Sequence, residues 1–185
     1  MIIFTLFKNT ISSFYKHFII YFPKSSLGEY IRKKYWQKYL NSNYFRLIER
    51  GVEIFSTSNS LYGKNLVIGY NTILSCEDGL GIYIGDNVGI AAYCYIRTAN
   101  HKIQNIDIPI LKQGHDFKIL THKDNNYSIV IEDDVWIGAN SIILSGSYLS
   151  KGVVISAGSV VSSKIPPYSI VAGNPARVIK SRLTQ

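Results

Sequence analysis

From Ile131 to Val161 a branched aliphatic residue stands at every sixth position: Ile131, Ile137, Ile143, Leu149, Ile155 and Val161. A second register, two residues ahead of the first, holds small or β-branched side chains: Val135, Ser141, Ser147, Val153 and Ser159. A helix repeats its facing side chains about every 3.6 residues and a strand every 2. A period of six belongs to a chain that turns a corner after each short strand, the hexapeptide β-helix. In such a coil each aliphatic points inward and stacks on its counterpart one turn later. Each buried side chain is worth roughly 1.5–3 kcal/mol.

The same step appears earlier, at Ile68, Leu74 and Leu80, and again at Ile84, Ile90 and Ile96. The phase break between Leu80 and Ile84 follows Glu77-Asp78-Gly79, which reads as a small bulge at a corner. The lattice then disappears from Arg97 to Val130. A long interruption inside a compact repeat is usually functional. The expected organisation is an N-terminal basic helical segment over residues 1–50, a β-helix over 51–165 with a protruding loop over 97–130, and a tail over 166–185 packed on the last coil.

Within the first segment, Phe4, Phe7, Ile11, Phe14, Phe18 and Phe22 follow three-and-four spacing, which predicts an amphipathic helix over 3–22 ended by Pro23. Ser26 and Glu29 form a capping-box pattern for a second helix with Ile31, Tyr35, Tyr39 and Leu40 on one face. Both helices are candidates to cap the open end of the solenoid, whose terminal coil otherwise exposes core and strand edge.

The net charge of +8 is concentrated there: residues 1–50 carry nine Lys and Arg against two Glu. A basic helical segment is either a solvated face, a packed one, or a contact for anionic lipid; nucleic acid is not expected. The two cysteines, Cys76 and Cys94, give neither a disulfide framework nor a metal spacing. The start, Met-Ile-Ile-Phe-Thr-Leu-Phe-Lys, lacks the pattern of a secretory signal, and no apolar run is long enough to span a bilayer. The expected location is the cytoplasm, with the inner face of a membrane within reach of the basic segment.

Three stretches carry a family likeness: Ile131-Glu-Asp-Asp-Val-Trp-Ile-Gly-Ala-Asn140, Ser156-Ala-Gly-Ser-Val-Val161, and Ile165-Pro-Pro-Tyr-Ser-Ile-Val-Ala-Gly-Asn-Pro-Ala-Arg-Val-Ile179. They resemble the hexapeptide-repeat acyltransferases, in particular the bacterial sugar and polysaccharide O-acetyltransferases. The resemblance covers about residues 63–180 and leaves the N-terminal helices outside it. It implies a left-handed parallel β-helix, a homotrimer, acetyl-coenzyme A as donor, no metal, and a site in the groove between subunits. The implied base is the His at the start of the long loop, here His101 in Thr98-Ala-Asn-His. A hydroxyl is a poor nucleophile near neutral pH, and imidazole titrates in the useful range for taking its proton.

On the same resemblance the coenzyme lies along Trp136, Ala139, Ala157, Gly158 and Ser162, with Arg177 and Lys180 towards its phosphates. At Ser162-Ser163 relatives often carry Thr-Lys, so the lysine of that pair is a departure here. The plain alternatives are corner geometry for the small residues and solvated charge for Arg177 and Lys180. Asn100 and His115 are the acceptor-side candidates, and Asp86 or Asp107 are candidates to orient His101. The expected function is transfer of an acetyl group to a saccharide hydroxyl in capsule, exopolysaccharide or lipopolysaccharide synthesis. A small sugar or antibiotic acceptor, a metal-dependent carbonic anhydrase using loop histidines, and a non-catalytic binding protein remain open at this point.

Overall fold

The computed structural model describes residues 2–42, 44–57, 59–76 and 78–184, with side chains described from residue 10 onward. Two helices, α1 (Ile2–Tyr21) and α2 (Ser26–Tyr39), precede a solenoid of short strands. The strands form three parallel faces. Face A stacks Phe45–Ile48, Leu66–Ile68, Gly89–Ile90, Trp136–Ile137, Val154–Ile155 and Ser169–Gly173, and is closed by the antiparallel strand Ala176–Ser181. Face B runs from Glu53–Phe55 to Val160–Val161, and face C from Leu61–Tyr62 to Lys164–Ile165. This is a left-handed parallel β-helix with an N-terminal helical segment and an extended loop, as the six-residue lattice and the resemblance together predict.

Side-chain stacking follows the registers. Ile48, Ile68, Ile90, Ile137, Ile155 and Val171 pair in turn on face A. Face B stacks Ile54, Leu74, Ile96, Ile143 and Val161. Face C stacks Tyr62, Ile84, Ile131, Leu149 and Ile165. All of them are buried. The small second register is buried too, and its hydroxyls are satisfied by backbone: Ser141 donates to the Ser156 carbonyl, Ser147 to that of Val161 and Ser159 to that of Ser156. A buried hydroxyl without such a partner would cost about 1–3 kcal/mol. Two corners are built from left-handed residues that recur coil by coil. Asn71, Tyr93, Asn140 and Gly158 turn face A into face B, and Asn65, Asn87, Asp134 and Gly152 turn face C into face A. Asn tolerates this conformation better than other residues with a side chain.

Four sequence expectations change. The coil begins at Phe45, inside residues 1–50, because Phe45 and Ile48 already pair with Leu66 and Ile68. Its first turn strays from the six-step, which hides it. Leu80 is not an inward lattice residue: it lies in a bend, and Ile82 and Ile84 fill the core instead. Glu77 of that bend, like the side chains of Phe4 and Phe7, lies outside the described residues. The cap of α2 is Ser25 rather than Ser26, its hydroxyl accepting from the Gly28 amide at 3.1 Å. Finally, α2 does most of the capping, burying Arg32 and Trp36 against the first coil. α1 buries only Ile19 and Ile20 among its described residues.

Candidate active site

The long interruption leaves face B after Arg97 and returns to face C at Ile129. It is folded rather than structureless. Asn100–His101 pairs antiparallel with His115–Asp116, and Leu120–His122 forms a second hairpin with Asn125–Tyr127. One turn earlier, at the same corner, lies the 78–81 bend. Thr98 and Ser128, the two feet of the loop, both grip that bend. The Thr98 hydroxyl donates to the Asp78 carbonyl, and Ser128 accepts from the Leu80 amide at 3.0 Å. Gly79 has φ +92° there, and a Cβ would stand 2.9 Å from the Thr98 carbonyl oxygen, so glycine is required on both counts.

This clamp gathers a set of side chains. His101 is exposed on the first hairpin and faces His115, with ring centroids 5.1 Å apart. His115 Nδ1 lies 3.3 Å from Asp78 Oδ1, and Arg97 lies 3.6 Å from Asp78 Oδ2 while donating to the Ser75 hydroxyl at 3.0 Å. Among the described residues Asp78 is thus a carboxylate in contact with a loop histidine here, and that histidine is His115 rather than His101. The two carboxylates expected to orient His101 are elsewhere. Asp86 accepts from the Lys64 amide at 2.7 Å in the next corner, and Asp107 lies out along the loop. Asn100 is exposed beside His101, with Asp116 as its cross-strand partner.

The coenzyme candidates fall into four places. Trp136 is on a face A strand, not in a corner, and is half exposed (50%). Its ring covers Gly89, where a Cβ would lie 2.6 Å from Cε3. Ala139, Ala157 and Gly158 line the neighbouring corner between faces A and B, where a Cβ on Gly138 would stand 2.6 Å from the Ala157 amide nitrogen. Arg177 and Lys180 are exposed on the last strand of face A. Ser162 stands apart from all of these, at the corner between faces B and C, the corner from which the loop springs. Within one chain, the Trp136 face and the His101 corner are not brought together.

The third loop histidine does different work. His122 packs on Tyr83 and its Nδ1 lies 2.9 Å from the Tyr148 hydroxyl, which donates to Glu132 at 2.6 Å. Since that hydroxyl proton is committed to Glu132, Nδ1 carries the proton shared with Tyr148. Nε2 is buried and has no hydrogen-bond partner among the described residues. His122 thus anchors the second hairpin on face C, away from His101 and His115, and the three loop histidines do not converge as zinc ligands would. Burial holds the His122 imidazole below its ordinary range, and burial plus the bond to Glu132 pushes the Tyr148 hydroxyl up to about 12. A histidine that resists protonation when folded stabilises the fold above its unfolded pKa, near 6.5, and that contribution is lost as pH falls through the lower folded value. The urea midpoint should therefore drop on acidification below about pH 6.5. His122→Gln should remove that part of the pH dependence; an unchanged pH profile would exclude the role.

Cys94 is buried, with its thiol donating to the Gly138 carbonyl at 3.3 Å, and burial pushes its pKa up. Cys76 is pushed up to about 12 by burial. Both are core residues, unsuited to nucleophilic work.

Residues 128–163 match the family model described as bacterial transferase hexapeptide (six repeats). This stretch of the chain carries the hexapeptide repeat that the model describes. It is 35% identical over 121 residues to a probable acetyltransferase of Mycobacterium tuberculosis, a match covering 65% of this chain and 37% of that one. It is 33% identical over 123 residues to the galactoside O-acetyltransferase of Escherichia coli, covering 64% and 55%. It thus spans only about a third to a half of the length of these curated relatives. Among solved structures, a galactoside acetyltransferase in complex with coenzyme A superposes with a TM-score of 0.69 at 26% identity, over 89% of this chain and 76% of that one.

In this hexapeptide-repeat chain the sequence pointed to His101 and His115 but missed Asp78 and Arg97. The available signal was the phase break after Leu74. It falls at the same corner, one coil before the long loop, so its residues had to lie beneath the loop's base.

Proposed function

We propose that this chain is an acetyl-coenzyme A-dependent O-acetyltransferase acting on a saccharide hydroxyl, in capsule, exopolysaccharide or lipopolysaccharide synthesis. One observation carries the reading: an exposed imidazole, His101, on a hairpin clamped to the solenoid by Thr98 and Ser128, beside the His115–Asp78 pair. The hydroxyl of the acceptor gives its proton to His101 as its oxygen attacks the thioester carbonyl. The tetrahedral intermediate collapses, the C–S bond breaks, and the thiolate of coenzyme A takes the proton back from the imidazolium. No acyl-enzyme is required, which suits a chain whose cysteines are both buried.

The donor rail is read as Trp136, Ala139, Ala157 and Gly158, with Arg177 and Lys180 beside it for the phosphates. Rail and base lie on different faces of one subunit, so the reading includes a homotrimer in which the loop of one subunit reaches the rail of the next. The loop suits that role: Ile106 and Leu111 project from it almost fully exposed, and apolar tips of this kind ask for a surface to cover. Asn100 and His115 are read as acceptor contacts. The cytoplasm, where acetyl-coenzyme A is available, is the location that fits.

The test is release of free thiol from acetyl-coenzyme A by purified protein, with and without glycan acceptors. Release that depends on a saccharide, with an O-acetyl ester in the product, supports the reading. Release only with a small antibiotic, or none despite a coenzyme-induced rise in melting temperature, would overturn the saccharide assignment.

A further inference from the structure

We propose that α1 and the adjoining edge of α2 form a docking surface for an anionic phospholipid membrane. Ile11, Phe14, Tyr15 and Phe18 follow three-and-four spacing on α1, and all four are exposed, Phe14 by 72% and Phe18 by 62%. Among the α1 residues with described side chains only Ile19 and Ile20 are buried, and Lys16 reaches over the Trp36 and Phe55 rings, which leaves the stripe of Ile11, Phe14, Tyr15 and Phe18 uncovered. Across the groove lined by Tyr15 and Ile19, α2 presents Tyr30, Lys34 and Lys38, with Lys34 Nζ 5.7 Å from the Tyr30 ring.

The first acidic residue of the chain is Glu29, so α1 carries no carboxylate, while Lys34 and Lys38 are exposed along the groove beside the stripe. A helix with exposed aromatics, flanking lysines and no carboxylates is suited to lie in the headgroup region of a bilayer carrying negative lipid. It does not cross: no helix among the described residues is long and apolar enough to span a membrane. A second copy of this chain is a poorer occupant, because pairing the stripe with itself brings lysines against lysines. The lipid surface supplies both what the stripe lacks, apolar cover, and what its rim attracts.

The inference does not depend on the acetyltransfer reading and is tested by partition. The 185-residue chain is sedimented with vesicles of phosphatidylcholine alone and with vesicles containing about one-third phosphatidylglycerol, at low and physiological salt. Binding is expected to the anionic vesicles and to weaken with salt. The double variant Phe14→Ser/Phe18→Ser should lower it by roughly tenfold or more, with unchanged circular dichroism, since both rings lie outside the core. Lys34→Glu/Lys38→Glu, which keeps the aromatics, should lower binding to the anionic vesicles alone. Absence of wild-type partition at low salt would overturn the proposal, as would equal partition by the aromatic variant. So would a smaller oligomer for that variant in sedimentation velocity, which would make the stripe a contact between subunits.

Discussion

Replacing His101 with Ala should lower kcat for acetyl transfer by about 10²–10⁴-fold, the usual contribution of a positioned general base. The Michaelis constant for acetyl-coenzyme A should change little, because a general base acts on the proton of the acceptor hydroxyl and not on the groups that hold the donor. The imidazole is exposed, so its removal leaves no cavity and the fold should be unaffected. That separates loss of chemistry from loss of structure. What remains after the substitution reports on orientation and on stabilisation of the oxyanion, which the histidine does not supply. A variant within twofold of wild type would reduce His101 to a surface ring.

Replacing Ile96 with Ala should destabilise the protein by about 2–5 kcal/mol, read as a fall in the denaturant midpoint. Ile96 is fully buried in mid-stack on face B, with Leu74 on one side and Ile143 on the other. In a solenoid each coil is filled by a few inward side chains contributed by its three faces, and the strand pairing on both sides prevents the coil from collapsing into the void. The contrasting substitution is Leu183→Ala after the last strand, where the side chain is 73% exposed and the expected change is within about 0.5 kcal/mol. A cost below about 1 kcal/mol at Ile96 would mean that the coils close up around the gap, contrary to the rigid stacking described above.

Much of this was readable along the chain because a β-helix converts a three-dimensional contact into a one-dimensional period. Every corner has the same geometry, so the inward residue recurs locally, and the run from Ile131 to Val161 carries the fold by itself. The period fails where coils carry insertions. Ile54 to Tyr62 departs from six, which concealed the first turn, and the bend after Ser75 moves the inward position from Leu80 to Ile84. Capping slipped by one residue, from Ser26 to Ser25, because either hydroxyl satisfies the pattern and only the backbone conformation chooses between them.

The sequence by itself determined the solenoid, its inward residues over the later coils, the place of the loop and the one histidine at its mouth. Tertiary structure alone decided what that histidine keeps company with. Asp78 and His115 are 37 positions apart and share no local pattern. They meet because consecutive coils superpose the same corner, laying the loop's base over the bend beneath it. It also decided that His122 belongs to Tyr148 and Glu132 rather than to the site, and that Trp136 and His101 lie on different faces. Periodicity fixes which residues point inward; the company of the outward ones is set by the vertical stacking of turns.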